Sequence, residues 1–197
     1  DECDPGTVPA DAQANGIRRT NFYRWLAGLD PVTLDESRVE IQQACAVTEK
    51  SLGHLDHHPP SDAPCYSSEG YQGASSSNLS YGSGLAGSVD AYMYDSNTPS
   101  LGHRRWILNP GMTKTAFGYK PSFSCMYAFS SGGSTDLDYL AHPPPGYFPM
   151  GAALGTFSFI LHTGVTDSSF EPVFEMAVNN EPFSEAQHTE LHYGYGA

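Results

Sequence analysis

Two histidines are the residues best suited to chemistry in this chain. His57 precedes Pro59-Pro60 in a polar stretch, and His103 follows Gly102 after a Ser96-Asn97-Thr98-Pro99 break. They stand 46 residues apart, so only the fold can bring their rings together. Two neutral imidazoles converging in a cleft can bind Zn²⁺ or another borderline cation, although a stable zinc site takes three or four protein ligands. On residue type alone, surface or hydrogen-bonded histidines are the more ordinary role. Ser75-Ser76-Ser77 offers hydroxyls, but no Gly-x-Ser-x-Gly turn surrounds them, which argues against a serine hydrolase. Asn78-Leu79-Ser80 has the spacing of a glycosylation acceptor.

The elements that must position these residues are helices first and strands later. Phe22, Trp25, Leu26 and Leu29 repeat with helical spacing, and Gly28 and Pro31 end that helix. Thr33 and Glu36 have capping-box spacing, and Ile41, Cys45, Thr48 and Leu52 form a stripe up to Gly53. Residues 53–84 are rich in Gly, Pro, Ser and Asp, which favours turns. Leu85, Val89, Tyr92 and Met93 restore helical spacing before the Gly102-His103 segment. Segments 112–120, 123–130, 154–162 and 172–178 read as strands, and the run from His142 to Pro149 reads as an ordered surface loop because its prolines cannot donate to a ladder. This order predicts an α+β domain over residues 1–197 rather than a parallel βαβ fold, and no internal repeat divides it.

Composition narrows the partners. With 9 Lys plus Arg against 22 Asp plus Glu, the formal charge of −13 repels phosphate backbones and anionic lipid surfaces. Nucleic acid is therefore not expected as a partner, and no apolar run of about 18 residues exists to span a membrane. The opening Asp1-Glu2-Cys3-Asp4 lacks the basic and apolar regions of a signal peptide, so any leader is expected to be absent from this chain. Four cysteines without a Cys-x-x-Cys motif favour structural disulfides and an extracellular setting. Spacing leaves three connectivities open. The pairing expected here is Cys45 with Cys65, clasping a helix to the following loop, and Cys3 with Cys125, pinning the N-terminal segment to a strand.

Several segments resemble the CAP superfamily (SCP, antigen 5 and pathogenesis-related 1 domains), especially its bacterial SCP-type branch. They are Asn21-Phe22-Tyr23-Arg24 through Gly28-Leu29-Asp30-Pro31-Val32-Thr33-Leu34-Asp35; Leu55-Asp56-His57-His58-Pro59-Pro60; Ser76-Ser77-Asn78-Leu79; and Gly102-His103-Arg104-Arg105-Trp106-Ile107-Leu108-Asn109-Pro110, which is the most specific. With the Pro143 to Pro149 loop they extend over about three quarters of the chain in the expected order. The resemblance implies a three-layer α-β-α sandwich with a mostly antiparallel central sheet. It also implies a central cleft where two histidines and two acidic residues can hold a divalent metal, zinc above all.

Carried onto this sequence, the resemblance gives His57, in preference to His58, as the first histidine and His103 as the second. Asp95 best matches one acidic position. Ser77 stands before Asn78-Leu79 where the family has glutamate, so one carboxylate is missing and metal affinity should fall. Glu69 lies in the same polar stretch as a substitute, with an exposed glutamate as its ordinary reading. The expected metal ligands are thus His57, His103 and Asp95, with Ser77, Asn78 and Glu69 as further cleft residues. Arg104 or Arg105 is expected to satisfy backbone carbonyls or an acidic neighbour, with Trp106 in the core.

The function this implies is a secreted, non-catalytic binding module whose cleft recognises a lipid or other small apolar ligand, a cation, or an extracellular protein. A metal-dependent hydrolase using His57 and His103 is the first alternative. The second is an extracellular assembly subunit that self-associates through a sheet edge or through the aromatic tail His192-Tyr193-Gly194-Tyr195.

Overall fold

Helix α1 (Ala10–Leu26) follows a proline-bearing lead-in and is closed by Gly28, whose positive φ of 75° provides the left-handed turn that ends a helix. The computed structural model describes residues 2–96, 98–154 and 156–161, with the backbone alone of 161, 174–176 and 184–186. The buried stripe of α1 is Gln13, Gly16, Thr20, Tyr23 and Arg24, whereas Trp25 is 71% exposed and does not share the face expected for it. This stripe is largely polar because backbone groups satisfy it. Gln13 both donates to and accepts from the Phe117 main chain, and Arg24 donates to the carbonyls of Asp30, Ile107, Asn109 and Met112. Hydrophobic periodicity cannot register such a face. Phe22, Leu26 and Leu29 do pack on the main core.

Thr33 belongs to a two-residue strand, β1 (Thr33–Leu34), and caps no helix. Asp35 accepts from the Ser37 N–H to start a 3₁₀ turn, and α2 (Val39–Leu52) begins after it and stops at Gly53. Residues 53–84 contain more regular structure than their composition suggests: α3 (Ser68–Ala74), with Ser67 as its N-cap, and β2 (Ser77–Tyr81). Helix α3 lies directly on α2. A Cβ on Gly73 would stand 2.6 Å from the Ile41 carbonyl and 2.7 Å from the Cys45 Cβ. The glycines that read as turn residues are thus the contact surface of a helix.

Helices α4 (Leu85–Tyr94) and α5 (Gly102–Ile107) follow, then β3 (Lys114–Thr115), β4 (Phe117–Lys120), β5 (Phe123–Tyr127), β6 (Tyr139–His142) and β7 (Ser158–Leu161). The remaining strand segments are β8 (Phe174–Met176) and β9 (Ser184–Ala186), an antiparallel pair. Each expected strand segment therefore contains a strand, with 112–120 divided into β3 and β4 and β5 ending at Tyr127. Three pair as an antiparallel sheet in the order β2-β5-β4, β1 pairs with β3 in parallel, and β6 pairs with β7.

The central sheet has helices on both faces, the α-β-α arrangement of an α+β domain. Phe117 and Met126 face the larger core with Tyr23, Val89, Tyr92 and Met93, while Leu79 and Cys125 face Cys45 and Ala46 of α2. At Gly118 the α2 backbone lies so close that a Cβ would fall onto the Gln42 carbonyl, which leaves no room for any side chain.

The cysteine pairing differs from expectation. Cys45 bonds Cys125, joining α2 to β5, and Cys3 bonds Cys65, joining the N-terminal segment to the loop before α3. Cys45 is turned toward the sheet, where Cys125 of the neighbouring layer meets it, so it cannot clasp its own following loop. Trp106 is only half-buried and packs on Phe129 with ring centroids 4.3 Å apart, so it is not a core residue. The aromatic tail at residues 192–195 lies outside the described residues.

Candidate functional site around His57 and His103

Asp95 ends α4 in a left-handed conformation, with φ of 49°, and its side chain is 3% exposed. Its Oδ2 accepts the backbone N–H groups of His103 and Arg104 at 3.0 and 3.3 Å, and its Oδ1 accepts from His103 Nδ1 at 2.8 Å. The carboxylate therefore caps α5 and orients the ring of its second residue. Tyr92 stacks on that ring, with centroids 5.5 Å apart and planes inclined by 27°. The Tyr92 hydroxyl donates to the Asn78 carbonyl, and burial pushes its pKa up. Asn78 in turn donates through Nδ2 to the His103 carbonyl at 3.1 Å. Arg104 is buried and donates to the carbonyls of Met93, Tyr94 and Thr156, as expected of one of the two arginines. Desolvation lowers its pKa to about 10, against the opposing pull of Asp95.

His57 sits in an exposed loop, and its Nδ1 is 2.9 Å from the Ala74 carbonyl. Neither an ionised carboxylate nor a carbonyl can donate, so Nδ1 must carry the proton in both rings. In the neutral rings Nε2 of His57 and of His103 is then the basic, accepting nitrogen. The His57 ring is also tied to Ala74 and the His103 main-chain carbonyl to Asn78, four residues on, a chain span of at most about 14 Å even if fully extended.

The other expected site residues separate. Ser77 is buried and donates to Gln42 Oε1 at 2.5 Å, so it faces α2, whereas its neighbour Asn78 faces α4 and α5 across the sheet. Glu69 stays on the surface in the first turn of α3, where its own backbone amide and the Ser68 hydroxyl hold its pKa down. His58 sets its ring edge toward Tyr71, with centroids 6.1 Å apart.

Among the described residues, no group of three or more His, Cys, Asp or Glu side chains converges in a way that could hold a metal ion. Both Asp95 oxygens are already engaged, and Ser77 supplies no carboxylate. The described residues thus fall short of the three or four ligands of a resident zinc centre.

One residue of this region escaped the sequence reading. Glu49, on the buried side of α2, has zero exposure, and its Oε2 accepts the Asp56 N–H at 2.8 Å in the loop that carries His57. Burial raises its pKa to about 7, with the Asp56 backbone hydrogen bond opposing and the Asp56 charge adding to the rise. Its place four residues after Cys45, within the helical stripe, was the signal: a carboxylate on a face otherwise read as buried. A separate groove of about 400 Å³ lies between the N-terminal lead-in and the starts of α1 and α4, lined in part by Val8, Pro9, Leu85 and Tyr119.

A helix–sheet–helix domain, in which His57 and His103 are each held through Nδ1, is the setting of a family match. Residues 17–131 match the model of the cysteine-rich secretory protein family, CAP. That match covers more than half of the chain, and the chain belongs to this family. A 1.5 Å crystal structure of an extracellular protein containing an SCP domain, from Bacillus anthracis str. Ames, is similar at 17% identity and a TM-score of 0.46. The similarity covers 61% of this chain and 43% of that one, so the chain spans less than half of that protein's length. A comparison with curated proteins found no match. The family and the two disulfides are consistent with an extracellular protein.

Proposed function

We propose that this chain is a secreted, non-catalytic binding domain whose ligand is received by the Nε2 nitrogens of His57 and His103. The supporting observation is that acceptor-only partners hold both rings at Nδ1, leaving Nε2 of each as a fixed acceptor. Such a pair suits a ligand that presents hydrogen-bond donors, such as the hydroxyls of a polar lipid head or the amides of an extracellular protein. A divalent cation would find only two protein nitrogens there and would be an exchangeable ligand rather than a cofactor.

The Asp95–His103 bond also has the form of a base held by an orienting carboxylate. No Ser or Thr hydroxyl among the described residues is hydrogen-bonded to either ring, and this favours binding over hydrolysis. The test is a lipid and protein ligand panel read by histidine-side-chain NMR. The expected result is a ligand that shifts both Nε2 signals and that loses affinity at least about tenfold in His57→Ala and in His103→Ala. Ligands that bind without moving either ring, or whose binding survives both substitutions, would refute the assignment.

A second reading concerns the groove between α1 and α4, whose apolar lining suits the tail of a lipid. Leu85→Trp should obstruct it and weaken binding of a fluorescent fatty acid. Undiminished binding would remove the groove from consideration.

A further inference from the structure

We infer that Glu49 is a latch for the loop carrying His57, closed while its carboxyl is protonated and opening when it ionises. The geometry makes the carboxyl both a clasp and a liability. Oε2 receives the N–H of Asp56, the residue immediately before His57, and Asp56 in turn receives the His58 N–H on Oδ1. Three successive residues of the loop are thus linked: Asp56 to Glu49, His57 to Ala74, and His58 to Asp56. Oε1, however, is buried without any hydrogen-bond partner. An ionised carboxylate there would have one donor and, among the described residues, no paired cation, which is a costly place for a charge.

Among the described residues, no neighbouring element relieves that charge. On α2 itself, Lys50 lies against the Phe123 ring. From the 3₁₀ turn before α2, Arg38 lies over Tyr127 of β5, and Glu36 is exposed. On α3, Glu69 is held by Ser68 and Tyr71 is turned to His58; on β4, Tyr119 and Lys120 make no ion pair with Glu49. Among the described residues, the one charge that acts on it is Asp56, which repels. Releasing the 54–58 loop admits water, hydrates the carboxylate and separates the two acids. The latch is therefore an equilibrium between a closed loop that prefers the neutral acid and an open loop that tolerates either form.

The direction follows from linkage. A carboxyl titrating at about 7 in the closed form and 4.5 in the open form makes opening more favourable as pH rises between these values, about tenfold per unit and about 300-fold in all, with no further change above 7. Protonation of His57 leaves its Nδ1–H in place for Ala74, so it does not itself undo the clasp.

The experiment is amide hydrogen exchange on the intact chain between the closed-form and open-form titration points of Glu49, about 7 and 4.5, expressed as protection factors so that intrinsic base catalysis cancels. Protection at Asp56 and His57 should fall by up to about 300-fold as pH rises across that window, while Ala46 and Val47 in the middle of α2 stay constant. In Glu49→Gln the fall should vanish. Protection that does not change with pH, an equal fall in Glu49→Gln, or a parallel fall at Ala46 would overturn the latch. Should Glu49→Gln fail to fold, Asp56→Asn decides: removing the repelling charge must shrink the fall, and an unchanged or larger fall overturns the proposal. None of these readings requires a ligand, so the latch and the binding assignment fail separately.

Discussion

The substitution Asp95→Asn removes one charge and no bulk, and its consequences can be worked out directly from the hydrogen bonds. The carboxylate accepts three N–H groups, from His103 N, Arg104 N and His103 Nδ1. Bonds to an ionised acceptor contribute about 1.5–3 kcal/mol each against about 0.5–1.5 for neutral ones. Conversion of three would cost about 3 kcal/mol, reduced by the cheaper burial of a neutral amide to a net loss of about 2 kcal/mol. The carbonyl oxygen of the new amide would stay with the helix N-terminus, turning its NH₂ toward His103 Nδ1. That nitrogen must then accept, so the proton moves to Nε2 and the ring loses the acceptor that faces its ligand. Urea denaturation measures the stability, and ¹⁵N NMR of the histidine side chains at a pH where the ring is neutral measures the tautomer. A destabilised variant that retains an unprotonated Nε2 would refute the claim that Asp95 sets the tautomer.

Three other outcomes are expected. His142 is 1% exposed; burial first and Arg104 second lower its pKa from 6.5 to about 4, against a weaker opposing contact from the Ala152 backbone. Its folded form therefore resists protonation, and stability intact above pH 6.5 should fall by about 3 kcal/mol as pH drops to 4; His142→Phe should remove that component of the urea-midpoint profile. Gly118→Ala should cost about 3 kcal/mol or more, because its Cβ would displace the α2 backbone at Gln42 and not a movable side chain; thermal unfolding checks this. Asn78 is 2% exposed with its amide committed to His103, so the 78–80 acceptor sequence should remain without glycan, and mass measurement before and after glycosidase treatment should agree.

What was legible in the sequence depended on which force shapes each part. The α+β class, the end of α1 at Gly28 and the Cys45 stripe follow from periodicity, turn chemistry and motif resemblance. Helix α3 was hidden because it packs through glycine, and the buried face of α1 was hidden because Gln13 and Arg24 are satisfied by distant main-chain groups. The disulfide partners depended on which layer Cys45 faces, a three-dimensional fact. Ser77 and Asn78 stood together as cleft residues in the sequence, but strand alternation sends them to opposite sides of the sheet.

The most direct test uses Zn²⁺ as a two-nitrogen probe in a titration followed by ¹⁵N signals of the histidine side chains. A site shared by both rings predicts that the Nε2 signals of His57 and His103 move together along one isotherm, and that alanine at either position weakens the response of the other. Independent isotherms, or a response from only one of the two rings, would contradict it.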